Sequence, residues 1–465
     1  MVIELSNLTF TDQDDIVPMS GVEEIVNTGI ANTLAGNDRI TGTGGIFSIH
    51  NSGTLNTSDG NDVIIGVSNN QEENLIYGHG IFNYNYGYGY GGTINTGNGD
   101  DIIIGIGGGK QVNDFFPIAY GISNQRGTIN TGDGNDKITG TGNSSGIVNS
   151  DSILDTGNGS DTITGTGGSS GISMSVSTVN TGDGDDEITG TGDYFGIDVN
   201  YEGILDTGNG SDTITGTGSS LGIQNFFIFN TGDGNDKITG NANSPGYGTF
   251  NGGTMDTGAG DDEITGTNAN GWGIYNYSGN IIDTGDGNDK ITGTGNNYGI
   301  YNIGNINTGD GSDIITGTGT STTEGGYGIY NQGIINTGNG DDSVIANGGI
   351  YNNGGAINMG DGNDSIISNG GFQSAWNSSG AWFLGEGDDY IKGFGSGDFY
   401  GGNGNDTLEL TPGTYTVGIW GEGGESPIFT NGSQLMITSE FEKLKAGNTL
   451  YDFTSLTAGQ IITVA

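Results

Sequence analysis

Residues 131–142 read TGDGNDKITGTG, and near copies of this string recur from about residue 33 to about residue 408. The paired glycines allow positive backbone φ angles and indicate a tight turn. The apolar–polar alternation that follows them indicates a strand. The last Asp of each turn marks fifteen repeats, at Asp38, Asp62, Asp101, Asp136, Asp161, Asp186, Asp212, Asp236, Asp262, Asp289, Asp313, Asp342, Asp364, Asp389 and Asp406.

The spacing of these aspartates is nearly constant. From Asp136 to Asp313 the intervals are 25, 25, 26, 24, 26, 27 and 24 residues. A fixed period of this kind means that each repeat makes one structural circuit and returns to the same place. The wider intervals of 39, 35 and 29 residues before Asp101, Asp136 and Asp342 indicate insertions.

Each repeat contains three short alternating segments bounded by Gly or Asn, for example around residues 129–131, 136–139 and 146–149. A helix is excluded because Gly recurs every few residues and costs about 1 kcal/mol relative to Ala inside a helix. We therefore expect an all-β parallel β-helix, or β-solenoid, with about 15 coils of about 25 residues and three short strands per coil.

The alternation also assigns the faces of the strands. Ile138 is expected to point inward, and Lys137 and Thr139 to face solvent. Three inward columns are expected. They are Ile138, Ile163, Ile188, Ile214, Ile238, Ile264 and Ile291; then Ile147, Ile172, Ile197, Ile223, Ile274, Ile300, Ile329 and Ile350; and finally Asn124, Asn149, Asn225, Asn251, Asn276, Asn302, Asn331 and Asn352.

The two ends of the chain depart from the repeat. The last coils of a solenoid must be covered, so residues 1–30 are expected to form an N-terminal β cap. Residues 31–406 hold the repeats. Residues 407–465, which contain apolar alternating segments without a further turn motif, are expected to form a C-terminal β cap.

Composition restricts the partners. The chain has 9 Lys and Arg residues against 55 Asp and Glu residues, a net charge of −46, and no cysteine. Nucleic-acid binding needs the opposite charge, and no apolar run approaches the ~20 residues that span a bilayer. We expect no nucleic-acid partner, no membrane insertion and no disulfide. The first residues do not have the pattern of a cleavable signal peptide.

The Gly-rich turn has the chemistry of a cation site. Its glycines allow carbonyl oxygens to face one point, and the closing Asp adds a carboxylate, which suits the six to eight oxygen ligands of Ca²⁺. Two successive turns are needed to complete that shell. The fifteen turn aspartates are therefore the predicted metal ligands, with on the order of 10–14 Ca²⁺ ions between them. The alternative is that they only form solvated turns.

TGDGNDKIT resembles the haemolysin-type or RTX (repeats-in-toxin) nonapeptide, Gly-Gly-x-Gly-x-Asp-x-aliphatic-x, with Thr in place of the first Gly. The resemblance implies a β-roll-like solenoid, folding driven by external Ca²⁺, and export through a bacterial type I channel with a secretion signal in residues 407–465. This chain differs in having one such turn per coil of about 25 residues, whereas RTX coils of about 18 residues hold two. The ligand set therefore stays open.

An enzyme is not expected. A catalytic site needs a proton carrier with a pKa near 7, and the only histidines are His50 and His79, which are expected in loops or turns. The outward Thr-x-Thr rows that begin with Thr139 and Thr141 resemble the surface of ice-binding β-helical proteins, although a column with charged residues flanks them. An outward Tyr column contains Tyr275, Tyr301, Tyr330 and Tyr351.

The sequence thus predicts a secreted, extracellular, calcium-binding structural protein of a layer, sheath or filament. It is expected to self-associate into a homopolymer or layer, with residues 67–92 and 107–120 as candidate contact lobes. The alternative is a calcium-dependent adhesin or a module that binds extracellular polysaccharide. An ice-binding protein and a polysaccharide-modifying enzyme are further alternatives.

Overall fold

The structure is a computed structural model, and the residues it describes are 2–18, 24–68, 78–84, 91–109, 118–322, 325–374, 380–420 and 426–465. The insertions expected at 67–92 and 107–120 lie partly outside the described residues. The chain divides into two compact units. Unit 1 is Met1–Ala242 with Gly253–Met255, and unit 2 is Asn243–Gly252 with Asp256–Ala465.

Each unit is a parallel β-solenoid, which confirms the expected fold, and the two units together contain about 14 turns. Three sheets run through the coils. Sheet 1 follows each Gly-rich turn, sheet 2 carries the Gly-Ile-x-Asn segment, and sheet 3 precedes the next turn. Because neighbouring coils pair in register, for example Ile138 with Ile163, equivalent residues form straight columns.

The strands of unit 1 fall into the three sheets as follows. In sheet 1 they are Ile16–Val17, Arg39–Gly42, Val63–Val67, Ile102–Ile106, Lys137–Gly142, Thr162–Gly167, Glu187–Gly192, Thr213–Thr217 and Lys237–Ala242. In sheet 2 they are Val2–Glu4, Glu24–Asn27, Phe47–Asn51, His79–Asn83, Tyr120–Gln125, Ser145–Ser150, Ser170–Ser175, Phe195–Asn200 and Leu221–Asn225. In sheet 3 they are Ile30–Asn32, Thr54–Asn56, Thr93–Asn95, Thr128–Asn130, Ile153–Asp155, Thr178–Asn180, Ile204–Asp206 and Ile228–Asn230. The strand Thr254–Asp256 is divided between the units.

The strands of unit 2 follow the same scheme. In sheet 1 they are Glu263–Asn268, Lys290–Gly295, Ile314–Gly319, Ser343–Asn347, Ser365–Ser368, Tyr390–Lys392, Thr407–Leu410, Lys443–Ala446 and Thr449–Asp452. In sheet 2 they are Tyr247–Asn251, Trp272–Asn276, Tyr298–Asn302, Tyr327–Asn331, Ile350–Asn352 and Phe372–Ser374. In sheet 3 they are Ile281–Asp283, Asn305–Asn307, Ile334–Asn336, Ala356–Asp361, Ala381–Glu386, Gly397–Asn403, Gly413–Trp420, Ser426–Asn431, Gln434–Ser439 and Ile461–Val464.

The last part of unit 2 changes from parallel to antiparallel pairing. Gly413–Trp420 pairs antiparallel with both Ser426–Asn431 and Ile461–Val464, and Lys443–Ala446 forms a hairpin with Thr449–Asp452. The helical elements of the described residues are two 3₁₀ turns, Leu5–Asn7 and Phe453–Ser455. Among all the residues that the structure describes, no helix is long and apolar enough to cross a membrane. The domain limits at 30 and 406 remain predictions.

The core consists of the predicted isoleucine columns. Ile138 and Ile147 are fully buried, and the other members of both columns are at most 3% exposed. Complete burial of one such side chain is worth about 1.5–3 kcal/mol, so a coil with a few of them depends on its neighbours. Stacking in register therefore supplies the stability that a single coil lacks.

The inward asparagine column is also confirmed, and it is a chain of buried hydrogen bonds. In unit 2, Asn276 Nδ2 donates to Asn302 Oδ1 at 2.9 Å, and Asn302 Nδ2 donates to Asn331 Oδ1 at 2.8 Å. In unit 1 the chain runs from Asn27 to Asn149. It is interrupted there because Met174 takes the next position in the column.

Replacing one rung of this column tests its contribution to stability. Asn302→Ala removes the hydrogen bonds to Asn331 Oδ1 and to the Ile334 carbonyl. It also leaves the Asn276 side-chain amide with the Asn305 carbonyl as its one remaining acceptor, so that one of its two N–H groups has no partner. We expect the free energy of unfolding to fall by about 1–3 kcal/mol, because a buried donor then lacks a partner. Thermal unfolding measures the change. The control is Asn369→Ala, whose hydrogen bond to Asn347 is exposed; an equal loss in both variants contradicts the interpretation.

Candidate calcium-binding edge

The Gly-rich turns connect sheet 3 to sheet 1 and stack along one edge of each unit. In the turn of residues 131–136, Gly132 has a φ of 86° and Gly134 a φ of 153°. A Cβ on Gly132 would lie 1.9 Å from the Gly97 carbonyl oxygen, and one on Gly134 would lie 1.8 Å from the Gly99 carbonyl oxygen. Only glycine satisfies both the backbone angle and the contact between coils.

All fifteen predicted site residues close these turns with buried side chains, between 0 and 2% exposed. The structure brings them together as one column in each unit. The column of unit 1 contains Asp38, Asp62, Asp101, Asp136, Asp161, Asp186, Asp212 and Asp236. The column of unit 2 contains Asp262, Asp289, Asp313, Asp342, Asp364, Asp389 and Asp406.

Within each column, one oxygen of a turn carboxylate accepts a hydrogen bond from the backbone of the neighbouring coil. The Asp136 amide donates to Asp161 Oδ1 at 2.7 Å, and the Asp161 amide donates to Asp186 Oδ1 at 2.7 Å. The same contact, at 2.7–2.9 Å, repeats through both columns. The sequence pattern does not predict this role of the carboxylate. It leaves one oxygen per carboxylate for any cation.

That second oxygen lacks a hydrogen-bond partner at most positions. Asp136 Oδ2 is buried without one. The Thr131 hydroxyl lies beside this carboxyl and lowers its pKa, but its single proton is directed at the Thr156 carbonyl, 3.3 Å away. The other buried Oδ2 atoms without a hydrogen-bond partner belong to Asp62, Asp101, Asp161, Asp186, Asp212, Asp289, Asp313, Asp342, Asp364, Asp389 and Asp406.

Burial raises the pKa of the column, and the neighbouring carboxylates raise it further. The pKa of Asp186 rises to about 8, chiefly through desolvation and then through the charges of Asp161 and Asp212. Asp161 and Asp212 themselves rise to about 7 for the same reasons. At neutral pH these carboxyls must therefore be partly protonated or be neutralised by a bound cation.

The atoms present fit a hard cation. Besides the orphaned Asp Oδ2, most turns contain two glycine carbonyl oxygens. Those of Gly132 and Gly134 accept no backbone hydrogen bond from the described part of the chain. Oxygen ligands of these kinds are those that Ca²⁺ prefers. Among the described residues, however, no three His, Cys, Asp or Glu side chains converge on one point. Backbone oxygens from two turns would thus have to complete the shell.

The outer side chains of the turns are bound to one another instead. The Asn135 amide donates to Asp100 Oδ1 at 2.9 Å, and the Ser160 amide donates to Asn135 Oδ1 at 2.8 Å. These residues are exposed. They form a solvated ladder along the rim, which leaves the buried column as the candidate site.

Two kinds of residue at this edge were not predicted from the sequence. The first residue of most turns is a buried Thr, and at Asp38 the Thr33 hydroxyl hydrogen-bonds the carboxylate. The motif itself contained this signal. At the other end, Glu442 Oε2 accepts the Asp406 amide at 2.8 Å and takes the place of a further turn Asp. Glu442 lies outside any repeat, so no sequence pattern marks it.

The expectation that His50 and His79 lie in loops was wrong. They belong to the strands Phe47–Asn51 and His79–Asn83. The two rings contact Phe47 and Phe82, and burial lowers the pKa of His50 and lowers that of His79 to about 4. Uncharged rings within an aromatic cluster complete the packing of sheet 2 in unit 1.

The pH dependence of the stability of the metal-free chain tests whether the buried aspartates of the column are protonated. We expect the stability to fall from pH 6.5 to pH 8.5, because carboxyls such as Asp186 keep a proton in the folded state that they lose near pH 3.9 when unfolded. Urea unfolding in buffers stripped of divalent cations measures this, and Asp186→Asn should weaken the fall. Stability that is constant or rises over this range contradicts the buried column.

The comparisons with known proteins include a structural likeness. No protein-family model matches the chain, and no curated protein matches its sequence. The chain is similar to the crystal structure of a hyperactive, Ca²⁺-dependent, β-helical antifreeze protein from an Antarctic bacterium, with 14% identity, a TM-score of 0.36, and coverage of 98% of this chain and 95% of that chain. A TM-score this low carries no information about function, and the resemblance to RTX repeats is limited to the turn motif.

Proposed function

We propose that this protein is a secreted, calcium-loaded, non-enzymatic β-solenoid that serves as a structural component of an extracellular layer, sheath or filament. One observation carries the proposal. Buried carboxylates recur at every Gly-rich turn, and most keep a buried oxygen without a hydrogen-bond partner.

Calcium would convert a repulsive column into a cross-linked one. Carboxylates one coil apart, at the ~4.8 Å spacing of β strands, repel by about 1 kcal/mol per pair even in water. A divalent ion between two turns cancels this repulsion and joins the coils. Ca²⁺ fits better than Mg²⁺, because it accepts six to eight ligands in irregular geometry, including backbone carbonyls, whereas Mg²⁺ demands an octahedron and retains water.

The extracellular and structural parts of the proposal rest on composition and on the sites available. A chain without cysteine has no disulfides to stabilise it outside the cell, and cations could take over that role. The proposal of a non-enzymatic role is supported by the two histidines, which pack against aromatic rings, and by the scarcity of Lys and Arg.

The metal sites are tested by a mutation whose effect on stability should change sign when Ca²⁺ is added. Asn in place of Asp186 retains the acceptor for the Asp161 amide but removes the charge. In chelator, we expect Asp186→Asn to be at least as stable as the native chain, because the cost of burying a charge is gone. In millimolar Ca²⁺, it should be less stable, because one ion loses a ligand. Melting temperatures in both buffers measure this, and Mg²⁺ should stabilise the native chain less than Ca²⁺.

The matched control is Asp193→Asn, an exposed aspartate outside the turns, whose melting temperature should be the same as that of the native chain in both buffers. A native chain that Ca²⁺ does not stabilise refutes the calcium part of the proposal. Electron microscopy of the calcium-loaded sample then tests the structural part. Filaments or layers support it, and separate monomers under all conditions contradict it.

The threonine rows favour ice binding as a second candidate. Thr139, Thr164 and Thr189 pair in register on sheet 1, and so do the Thr residues two positions later. These side chains face outward from a rigid sheet. A regular array of methyl and hydroxyl groups at the ~4.8 Å strand spacing can order water. A charged column runs beside the rows, and in unit 2 it contains the Lys290–Glu263 ion pair.

Thermal hysteresis and ice-crystal shape, measured on the calcium-loaded chain, test this candidate. If the rows bind ice, Thr164→Lys combined with Thr189→Lys should abolish most of the hysteresis, because two long charged side chains disrupt the array. Thr178→Lys, on sheet 3, is the control and should retain it. Ice crystals that grow as they do in buffer alone rule out ice binding.

A further inference from the structure

Sheet 2 of unit 2 has aromatic rings on its outward side, separate from the calcium-binding edge. All of them are partly exposed except Phe250, which is 9% exposed. This surface has two columns in register. We name it the aromatic face. It consists of Tyr247, Trp272, Tyr298 and Tyr327 in one column, Phe250, Tyr275, Tyr301, Tyr330 and Tyr351 in the other, and the adjacent Tyr277.

The rings of this face contact one another at the repeat of the coils. In the second column, successive ring centroids are 5.4, 5.0, 4.4 and 5.2 Å apart. Tyr301 and Tyr330 stack at 4°, whereas Tyr275 and Tyr351 are nearly perpendicular to their neighbours. The result is a firm surface in which ring edges and ring faces alternate.

The aromatic face carries no charge, although the chain has a net charge of −46. The strands that form it read YGTFN, WGIYN, YGIYN, YGIYN and IYN. Two neutral polar side chains of the described residues hydrogen-bond to it: Tyr327 Oη donates to Gln373 Oε1, and Asn353 Nδ2 donates to Tyr330 Oη, both at 2.7 Å. Burial raises the pKa of Tyr275 and Tyr327, so their hydroxyls remain protonated donors.

We propose that the aromatic face binds an extended, neutral polysaccharide whose chain lies along the coil axis. Sugar rings present apolar C–H groups that pack on aromatic rings, and hydroxyls that bond to phenols and amides. The repeat of the rings, close to 5 Å, is near the length that one pyranose residue adds to an extended glycan. Each successive sugar therefore meets a further ring of the column, presented by its edge or by its face.

Charge favours this occupant over a second copy of the chain. The chain alone has a net charge of −46, which about ten bound Ca²⁺ would reduce but not cancel. Two copies that met through this face would therefore repel, since the face has no cation to offset the charge, whereas a neutral glycan adds no repulsion. A polyanionic glycan is disfavoured for the same reason. This inference goes beyond the proposed function and rests on different residues, so either can fail alone.

Affinity electrophoresis in calcium buffer tests the proposal, with hydroxyethylcellulose as the neutral probe and alginate as the anionic one. We expect hydroxyethylcellulose to slow the native chain. Tyr275→Ala should weaken binding about tenfold, the size expected for truncating a central interface aromatic residue. Tyr277→Ala, at a ring that is 49% exposed and less involved in packing, should weaken it without affecting folding. Quenching or shifting of Trp272 fluorescence, absent in Trp272→Phe, reports contact with the face directly.

The matched controls are Tyr194→Ala and Tyr201→Ala, at rings of unit 1 that are 60% and 74% exposed; both should bind as the native chain does. Circular dichroism of each variant separates loss of binding from loss of fold. The proposal is overturned if hydroxyethylcellulose has no effect, if only alginate binds, or if the controls lose as much affinity as Tyr277→Ala. It is also overturned if sedimentation shows a dimer that Tyr275→Ala dissociates.

Discussion

The hydrogen bond between the backbone of one coil and the buried carboxylate of the next fixes the rest of the structure. The Asp136 amide, for example, reaches Asp161 Oδ1 at 2.7 Å. This contact requires the turns to stack in register, and register aligns Ile138 with Ile163 and the turn glycines with one another. It also buries like charges one coil apart. The fold therefore depends on what neutralises them, and we propose calcium.

Much of this architecture is predictable because one period controls it. A repeat of about 25 residues places each Ile and each inward Asn at a known position, and Ile138 and Asn302 are buried as expected. Parallel stacking allows few other arrangements for so short and regular a pattern. The same reasoning succeeds for the turn, since Gly132 and Gly134 tolerate no side chain.

The details of the site are less predictable, because they depend on the direction of individual side chains. The sequence shows that Asp136 belongs to a cation-type turn but not that its Oδ1 accepts a neighbouring amide. Glu442 completes the column from outside the repeats. His50 was misplaced because its strand lies before Asp136, where the even spacing of the repeats begins, and its aromatic neighbour Phe82 comes from an adjacent coil.

One backbone scheme supports faces of different chemistry, because outward residues do not affect the stacking. Sheet 1 displays threonines, sheet 2 of unit 2 displays rings, and the turns display acidic rims. The claim on which these functions depend is calcium at the stacked turns. Atomic emission analysis of the folded chain, after gel filtration into calcium-free buffer, tests it most directly. From fifteen turns we predict on the order of ten bound Ca²⁺ ions per chain, and a content below one ion per chain would contradict the account.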